Sequence, residues 1–279
     1  MSLHPKLHFF GVGPQRTASS WLHQMLVQQP GLSFPHQVKE TMFFDQHYNK
    51  GLDWYLWHFK ESPAGAVLGE IGPTYFDDHQ ARKRIKSHFP DARIIINVRN
   101  PIARSHSLFR HHLSKGRVSN SFQSAIKQMP RILTSGNYSE YCPRWEADFG
   151  NGVAYIHQQD VEQNPESVLR EICQFLDVSL EVLPSAANER TNSAVAPRSA
   201  ALARVSSMTA SALRSMRLHG LVEYGKGLGL KKMFRGGAPV APLTHDEHKQ
   251  LVDYYESDIQ WLEQRFKRDF SDWLQFQPA

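Results

Sequence analysis

Short, continuous apolar runs alternate along this chain with longer stretches whose apolar residues recur at helical spacing. Arg93-Ile94-Ile95-Ile96-Asn97-Val98 is the strongest run. It is β-branched and unbroken, as expected of a central parallel strand covered on both faces. Phe9-Phe10-Gly11-Val12, Ala66-Val67-Leu68-Gly69-Glu70-Ile71 and Val153-Ala154-Tyr155-Ile156-His157 read as further strands, with Leu32-Ser33-Phe34 a shorter one. Helical spacing starts at Trp21, Leu22, Met25 and Leu26, and a basic helix is expected over 78–89. A helical stretch near Phe122–Gln128 is followed by an expected loop. Over Pro165–Leu176, Val168, Leu169, Ile172, Phe175 and Leu176 share one face. A last, long helix is expected from Thr244 to about Phe266, opened by a Thr244/Glu247 capping box. Its buried stripe is Leu251, Tyr255, Ile259, Leu262 and Phe266.

Strands alternating with helices at this spacing predict an α/β fold with a central, mostly parallel sheet flanked by helices. The 279 residues carry no internal repeat and no clear second domain, so one domain over 1–279 is expected. The character changes between 188 and 240. Ser, Ala and Arg dominate first; Gly225, Gly227, Gly229, Gly236 and Gly237 then mix with Lys231, Lys232 and Arg235. That region reads as a mobile basic lid over an anionic ligand or as a basic connector.

Hydrophobic content of 41% and charged content of 21% describe an ordinary soluble globular protein. No apolar run approaches a membrane span, and no hydrophobic leader precedes the first strand, so a cytoplasmic location is expected. Cys142 and Cys173 are too few for a disulfide framework, and Cys173 lies in an apolar helical pattern. The net charge of +5 suits an anionic partner. Zinc-finger spacing, aromatic ribonucleoprotein signatures and dense Lys/Arg tracts are lacking, which argues against nucleic acid. The 15 histidines show no tight metal-ligand spacing, so no metal is expected.

Three stretches carry candidate chemistry. Phe9–Leu22 reads as strand, Gly-bearing turn and helix start. Arg16, Ser19 and Ser20 lie near a helix N-terminus, where unpaired N–H groups and a partial positive charge favour a phosphate. The nucleoside-triphosphatase pattern G-x-x-x-x-G-K-[ST] is not met, because the loop lacks its Lys. A plain strand–turn–helix packing unit is the alternative. In Lys39-Glu40-Thr41-Met42-Phe43-Phe44, an acid beside a Lys and two Phe is a candidate general base with a raised pKa, or else an exposed ion pair. Arg99-Asn100-Pro101 follows the strongest strand, so Arg99 stands where open α/β sheets bind ligands. Pro101 suits a helix start, and Ser107 falls about two turns in.

Together these blocks resemble the sulfotransferases that use 3′-phosphoadenosine-5′-phosphosulfate (PAPS). Gly13-Pro14-Gln15-Arg16-Thr17-Ala18-Ser19-Ser20-Trp21-Leu22 is similar to the family's 5′-phosphosulfate loop. Val98-Arg99-Asn100-Pro101-Ile102-Ala103-Arg104-Ser105-His106-Ser107 resembles its 3′-phosphate block. Lys39–Asp45 with Gly51-Leu52-Asp53-Trp54-Tyr55 resembles the heparan-type carbohydrate branch, and Arg268–Trp273 the usual end of bacterial members. The resemblance implies a P-loop-type three-layer sandwich and in-line sulfuryl transfer, releasing 3′,5′-ADP. Glu40 would be the base and Arg16 the cation beside the bridging oxygen. Gly13, Gln15, Thr17, Ala18, Ser19 and Ser20 would hold the 5′-phosphosulfate; Arg99 and Ser107 would hold the 3′-phosphate, and Arg198 would add a contact. Lys39 is a candidate second cation, because Ile71 stands where several heparan-type enzymes carry Lys. Ala18 replaces the loop glycine and is expected to be right-handed helical. The implied acceptor is a hydroxyl or amine, most simply of a sugar. The rival readings are a P-loop kinase of a small metabolite and a non-catalytic binder of acidic or sulfated polymers.

Overall fold

The computed structural model describes residues 7–183, 195–197, 204–205, 208–209, 213 and 235–276. Its contacts group into two units, Met1–Arg99 with Glu140–Arg190, and Asn100–Ser139 with Thr191–Ala279.

The first unit is built on a five-stranded sheet: β1 (Leu7–Gly13), β2 (Leu32–Ser33), β3 (Val67–Ile71), β4 (Arg93–Val98) and β5 (Val153–His157). The strand order is β2-β3-β1-β4-β5. All four pairings are parallel, so the expected "mostly parallel" sheet is parallel throughout. Alternation along β1 divides the core between two faces. Phe9 packs with Leu22, Met25 and Leu26 of α1 (Ser19–Leu26), with Ile95 and Ile156 of the sheet, and with the apolar stripe of the helix Pro165–Leu176. Phe10 turns the other way, edge-on to Phe44 with ring centroids 5.5 Å apart, and also meets Phe89. Phe44, Tyr55 and Tyr75 extend that aromatic layer. Two short helices, α2 (Leu52–Leu56) and α3 (His79–His88), belong to this part of the chain. Asp78 caps α3 by accepting from Ala81 N–H. Cys142 and Cys173 are buried and not disulfide-bonded.

The second unit holds α4 (Pro101–Ser114), α5 (Phe122–Gln128) and α6 (Arg131–Thr134). The stretch after Gln128 corrects an expectation: it is not a loop, since α6 is followed by α7 (Tyr138–Phe149). Pro143 reads as a helix breaker, yet it lies inside α7. Burial offsets the lost hydrogen bond: Cys142 and Trp145 are fully buried, and Trp145 Nε1 donates to Phe76 O at 2.9 Å. After α8 (Gln158–Gln163) and α9 (Pro165–Leu176), an antiparallel pair, β6 (Val195–Pro197) and β7 (Arg235–Pro239), is described. The chain closes with α10 (His245–Phe266), whose Thr244/Glu247 capping box forms as expected. Buried Arg104 organises the interior of this unit. Its guanidinium donates to Ser135 Oγ at 3.0 Å and Ile132 O at 2.7 Å.

Candidate active site

The loop after β1 is shaped by a close approach. A Cβ at Gly13 would lie 2.5 Å from Pro73 O and 2.7 Å from Pro73 Cα, and its φ is +102°. Only glycine fits there. Three residues further on begins a stretch in which the chain takes the left-handed conformation twice, at Arg16 (φ 71°) and Ala18 (φ 64°). The right-handed Ala18 expected from its side chain is therefore corrected. The turn demands the left-handed geometry, and alanine adopts it at a cost of about 1–2 kcal/mol. Tight turns of this kind aim successive N–H groups into one concavity suited to an anion.

Ala18 is also the N-cap of α1, and no side chain caps that helix. The first-turn N–H groups of α1 thus have no cap from the protein's own side chains, which fits an anionic group. Thr17 is fully buried and its hydroxyl donates to Pro14 O at 2.5 Å. What Thr17 can offer an anion is its backbone N–H. Ser19 is buried and Ser20 exposed.

Lys39 connects this loop to the candidate base. Its Nζ lies 2.8 Å from Glu40 Oε1 and 3.4 Å from Ser20 Oγ. The pair is neither a free surface ion pair nor a sealed one: the side chains are 30% and 23% exposed. Arg99, at the carboxyl end of β4, donates from Nη1 to Arg16 O at 2.8 Å. One unit therefore brings together Gly13, Gln15, Arg16, Thr17, Ala18, Ser19, Ser20, Lys39, Glu40 and Arg99. Ser107 stands in α4, half-buried, in the other unit. Arg198 lies outside the described residues.

A cavity of about 470 Å³ opens beside Lys39, between His23 of α1, Val27 at that helix's C-cap, and the segment Phe34–Lys39. His23 borders it with its ring edge-on to Phe34. Burial, reinforced by the Lys39 charge, lowers the His23 pKa to about 4, so its imidazole is neutral at physiological pH.

The carboxyl that burial pushes up is one that sequence reasoning did not assign to the site. Glu70, in the middle of β3, is fully buried, and burial raises it from 4.5 to about 7 against the pull of its Thr41 hydrogen bonds. Thr41 N–H and Oγ1–H both donate to Glu70 Oε1, at 2.7 and 2.6 Å, and Tyr75 OH donates at 3.2 Å. The available signal was an acid inside the apolar run Val67-Leu68-Gly69-Glu70-Ile71. Among the described residues, no group of three or more metal-ligating side chains occurs. Nor is any described helix long and apolar enough to cross a membrane.

Comparison with known proteins identifies the fold and the family. A sulfotransferase from Alicyclobacillus acidocaldarius superposes with a TM-score of 0.70 over 97% of this chain and 99% of that one, at 21% identity, which establishes the shared fold. The chain is 29% identical over 185 residues to the bifunctional heparan sulfate N-deacetylase/N-sulfotransferase 1 of Caenorhabditis elegans. It is also 29% identical over 193 residues to the human N-deacetylase/N-sulfotransferase 3. These matches take in 60% and 61% of this chain but 22% of each relative, so the chain spans about a fifth of their length. Residues 7–220 match the profile of the sulfotransferase domain. The chain belongs to the sulfotransferase family.

Proposed function

We propose that this sulfotransferase moves a sulfuryl group from PAPS to a hydroxyl or amine of a carbohydrate, with Glu40 as general base. The observation that carries the reading is the Lys39 ammonium, which touches both the Glu40 carboxylate and Ser20 of the anion loop. A base and an anion-binding loop tied by one cation are the parts an in-line transfer needs. Glu40 takes the proton of the attacking group as its oxygen or nitrogen bonds to sulfur. The bond from sulfur to the bridging oxygen breaks, and 3′,5′-ADP leaves with that oxygen.

Charge accumulates on the bridging oxygen as the bond breaks. Arg16 is assigned to that oxygen, where losing one donor typically costs about 10²–10³ in rate. The loop N–H groups from Gly13 to Ser20 hold the 5′-phosphosulfate. The resemblance assigns Arg99, with Ser107, to the 3′-phosphate, and Arg198 to a further contact. Lys39 supplies a second cation. Arginine, lysine and backbone donors suffice for these charges without a metal. The cavity beside Lys39 suits a sugar, with the Phe34 ring as an apolar wall and neutral His23 as a hydrogen-bonding group. The named relatives act in part on heparan sulfate as N-sulfotransferases, which supports a glycan acceptor and includes an amine among the candidates.

Calorimetry tests the donor. Tight binding of 3′,5′-ADP without Mg²⁺ is expected. A preference for ATP with Mg²⁺ would replace the reading with a kinase, and binding of neither nucleotide would leave a polymer binder. Transfer of labelled sulfate from PAPS to a panel including N-deacetylated heparosan then identifies the acceptor.

A further inference from the structure

The Lys39–Glu40–Thr41 segment lies between two elements but belongs to neither. It follows the loop after β2 and precedes the turn at Met42, which is left-handed (φ 53°). A chain in irregular conformation at this point needs something to hold it, and the hydrogen bonds show what does. Glu70 Oε1 accepts both donors of Thr41, the residue next to Glu40. Thr41 Oγ1 in turn accepts from Phe43 N–H at 3.2 Å, closing the turn on the far side. Glu70 is 0% exposed; the buried Tyr55 hydroxyl also faces its carboxyl, while Oε2 has no close hydrogen-bond partner among the described residues.

A carboxyl group is a costly way to hold a backbone N–H. Burying it with incomplete hydrogen bonding works against the fold. An aliphatic residue at β3 would pack against the same aromatic layer without that cost. The acid stands where it costs stability, and two of its bonds end on the residue beside Glu40.

We propose that Glu70 is a positioning residue for sulfuryl transfer: by gripping both donors of Thr41, it sets the direction of the chain at Glu40 and so the seat of the Glu40 carboxylate against Lys39 and Ser20. The proposal rests on the reading of Glu40 as the base. Glu70 touches neither donor nor acceptor. It acts through the backbone, and its effect is on geometry, where a misplacement of about 1 Å can cost about 10² in rate.

A double-mutant cycle tests it, read as single-turnover release of 3′,5′-ADP from PAPS with N-deacetylated heparosan, and with water alone as acceptor. E70L removes the acceptor oxygens, and the rate is expected to fall about 10-fold to 100-fold with 3′,5′-ADP affinity unchanged. E70Q keeps an acceptor oxygen for Thr41 and retains the rate within about threefold. In an E40Q background, E70L produces no further loss, because the residue it positions is already disabled. T41V, which keeps the N–H and removes the hydroxyl, gives a smaller loss with the same disappearance in E40Q and serves if E70L does not fold. Hydrogen exchange adds a readout independent of turnover: the Thr41 amide loses protection in E70L and keeps it in E70Q.

An equal loss from E70L in the wild-type and E40Q backgrounds would overturn the proposal, as would unchanged protection at Thr41. A full rate in E70L with a large loss in E40Q overturns the positioning role and leaves the base assignment standing. A full rate in E40Q removes the base assignment itself, and the positioning role with it.

Discussion

Two helices in this chain begin beside a candidate anion block, and they begin differently. At α1 the N-cap is Ala18, left-handed and without a capping side chain. At α4 the N-cap is Asn100, whose Oδ1 accepts from Ile102 N–H at 2.9 Å and Ala103 N–H at 3.2 Å, with Pro101 in the first turn. The start of α4 is capped by its own Asn100; that of α1 has no side-chain cap from its N-cap residue. The contrast teaches how each block can meet a phosphate. The α1 start offers backbone N–H groups and a helix dipole. The first-turn N–H groups of α4 are already bonded to Asn100, so on the proposed reading this block would meet a phosphate through side chains, Arg99 first.

The largest expected effect separates binding from chemistry at the open start. E40Q is expected to slow transfer by about 10²–10⁴ while calorimetry finds 3′,5′-ADP affinity nearly unchanged. Transfer at the wild-type rate would remove Glu40 from the mechanism.

Next in size is a pH effect inside the first unit. Glu70 ionises near 7 in the folded protein against 4.5 ordinarily, so between those values the native state binds more protons than the unfolded chain. Stability from this group is fully present below about pH 4.5 and is lost as pH rises through about 7, by up to about 3 kcal/mol. E70Q removes this dependence. Urea unfolding at pH 5 and pH 8 should show the variant gaining on the wild type at the higher pH; a parallel shift at both would contradict the burial argument.

The third prediction strikes the side-chain block. R99A is expected to weaken 3′,5′-ADP by about 10-fold to 100-fold, the worth of a charged hydrogen bond, and adenosine 5′-phosphosulfate much less, since it lacks the 3′-phosphate. Equal weakening would show that Arg99 acts instead through the Arg16 carbonyl it also touches.

The smallest effects test the two caps directly. N100A should destabilise the fold by about 1 kcal/mol. A18G should leave stability level or raise it by up to about 1 kcal/mol, because glycine adopts the left-handed region freely. Thermal melts should therefore show a loss in N100A and none in A18G, and a loss in both would mean that Ala18 is not strained.

Much of this architecture is legible in local pattern. The run Arg93–Val98 is a strand with the expected ends, and the stripe over Pro165–Leu176 is a helix with the expected ends. The Thr244/Glu247 box closes as its spacing requires. Each of these depends on neighbours within a few residues. Pro143 sits inside α7 although proline costs a helix one backbone hydrogen bond, a placement that the pattern of its neighbours does not indicate. The candidate site divides likewise. Arg16, Glu40 and Arg99 stand out by residue type and position. Ala18 does not reveal its handedness, because the backbone conformation is imposed by how β1 and the Pro73 turn approach at Gly13. Glu70 does not reveal its role, because its partner Thr41 is 29 residues away.

The sequence by itself determined which residues could carry charge and which stretches could be strands or helices, since hydrophobic period, caps and residue chemistry are local properties. Only the tertiary structure decided the strand order β2-β3-β1-β4-β5, the left-handed turn at Ala18 and the grip of Glu70 on Thr41. These depend on contacts between residues far apart in the chain, where burial fixes conformation and proton affinity against what each residue favours alone.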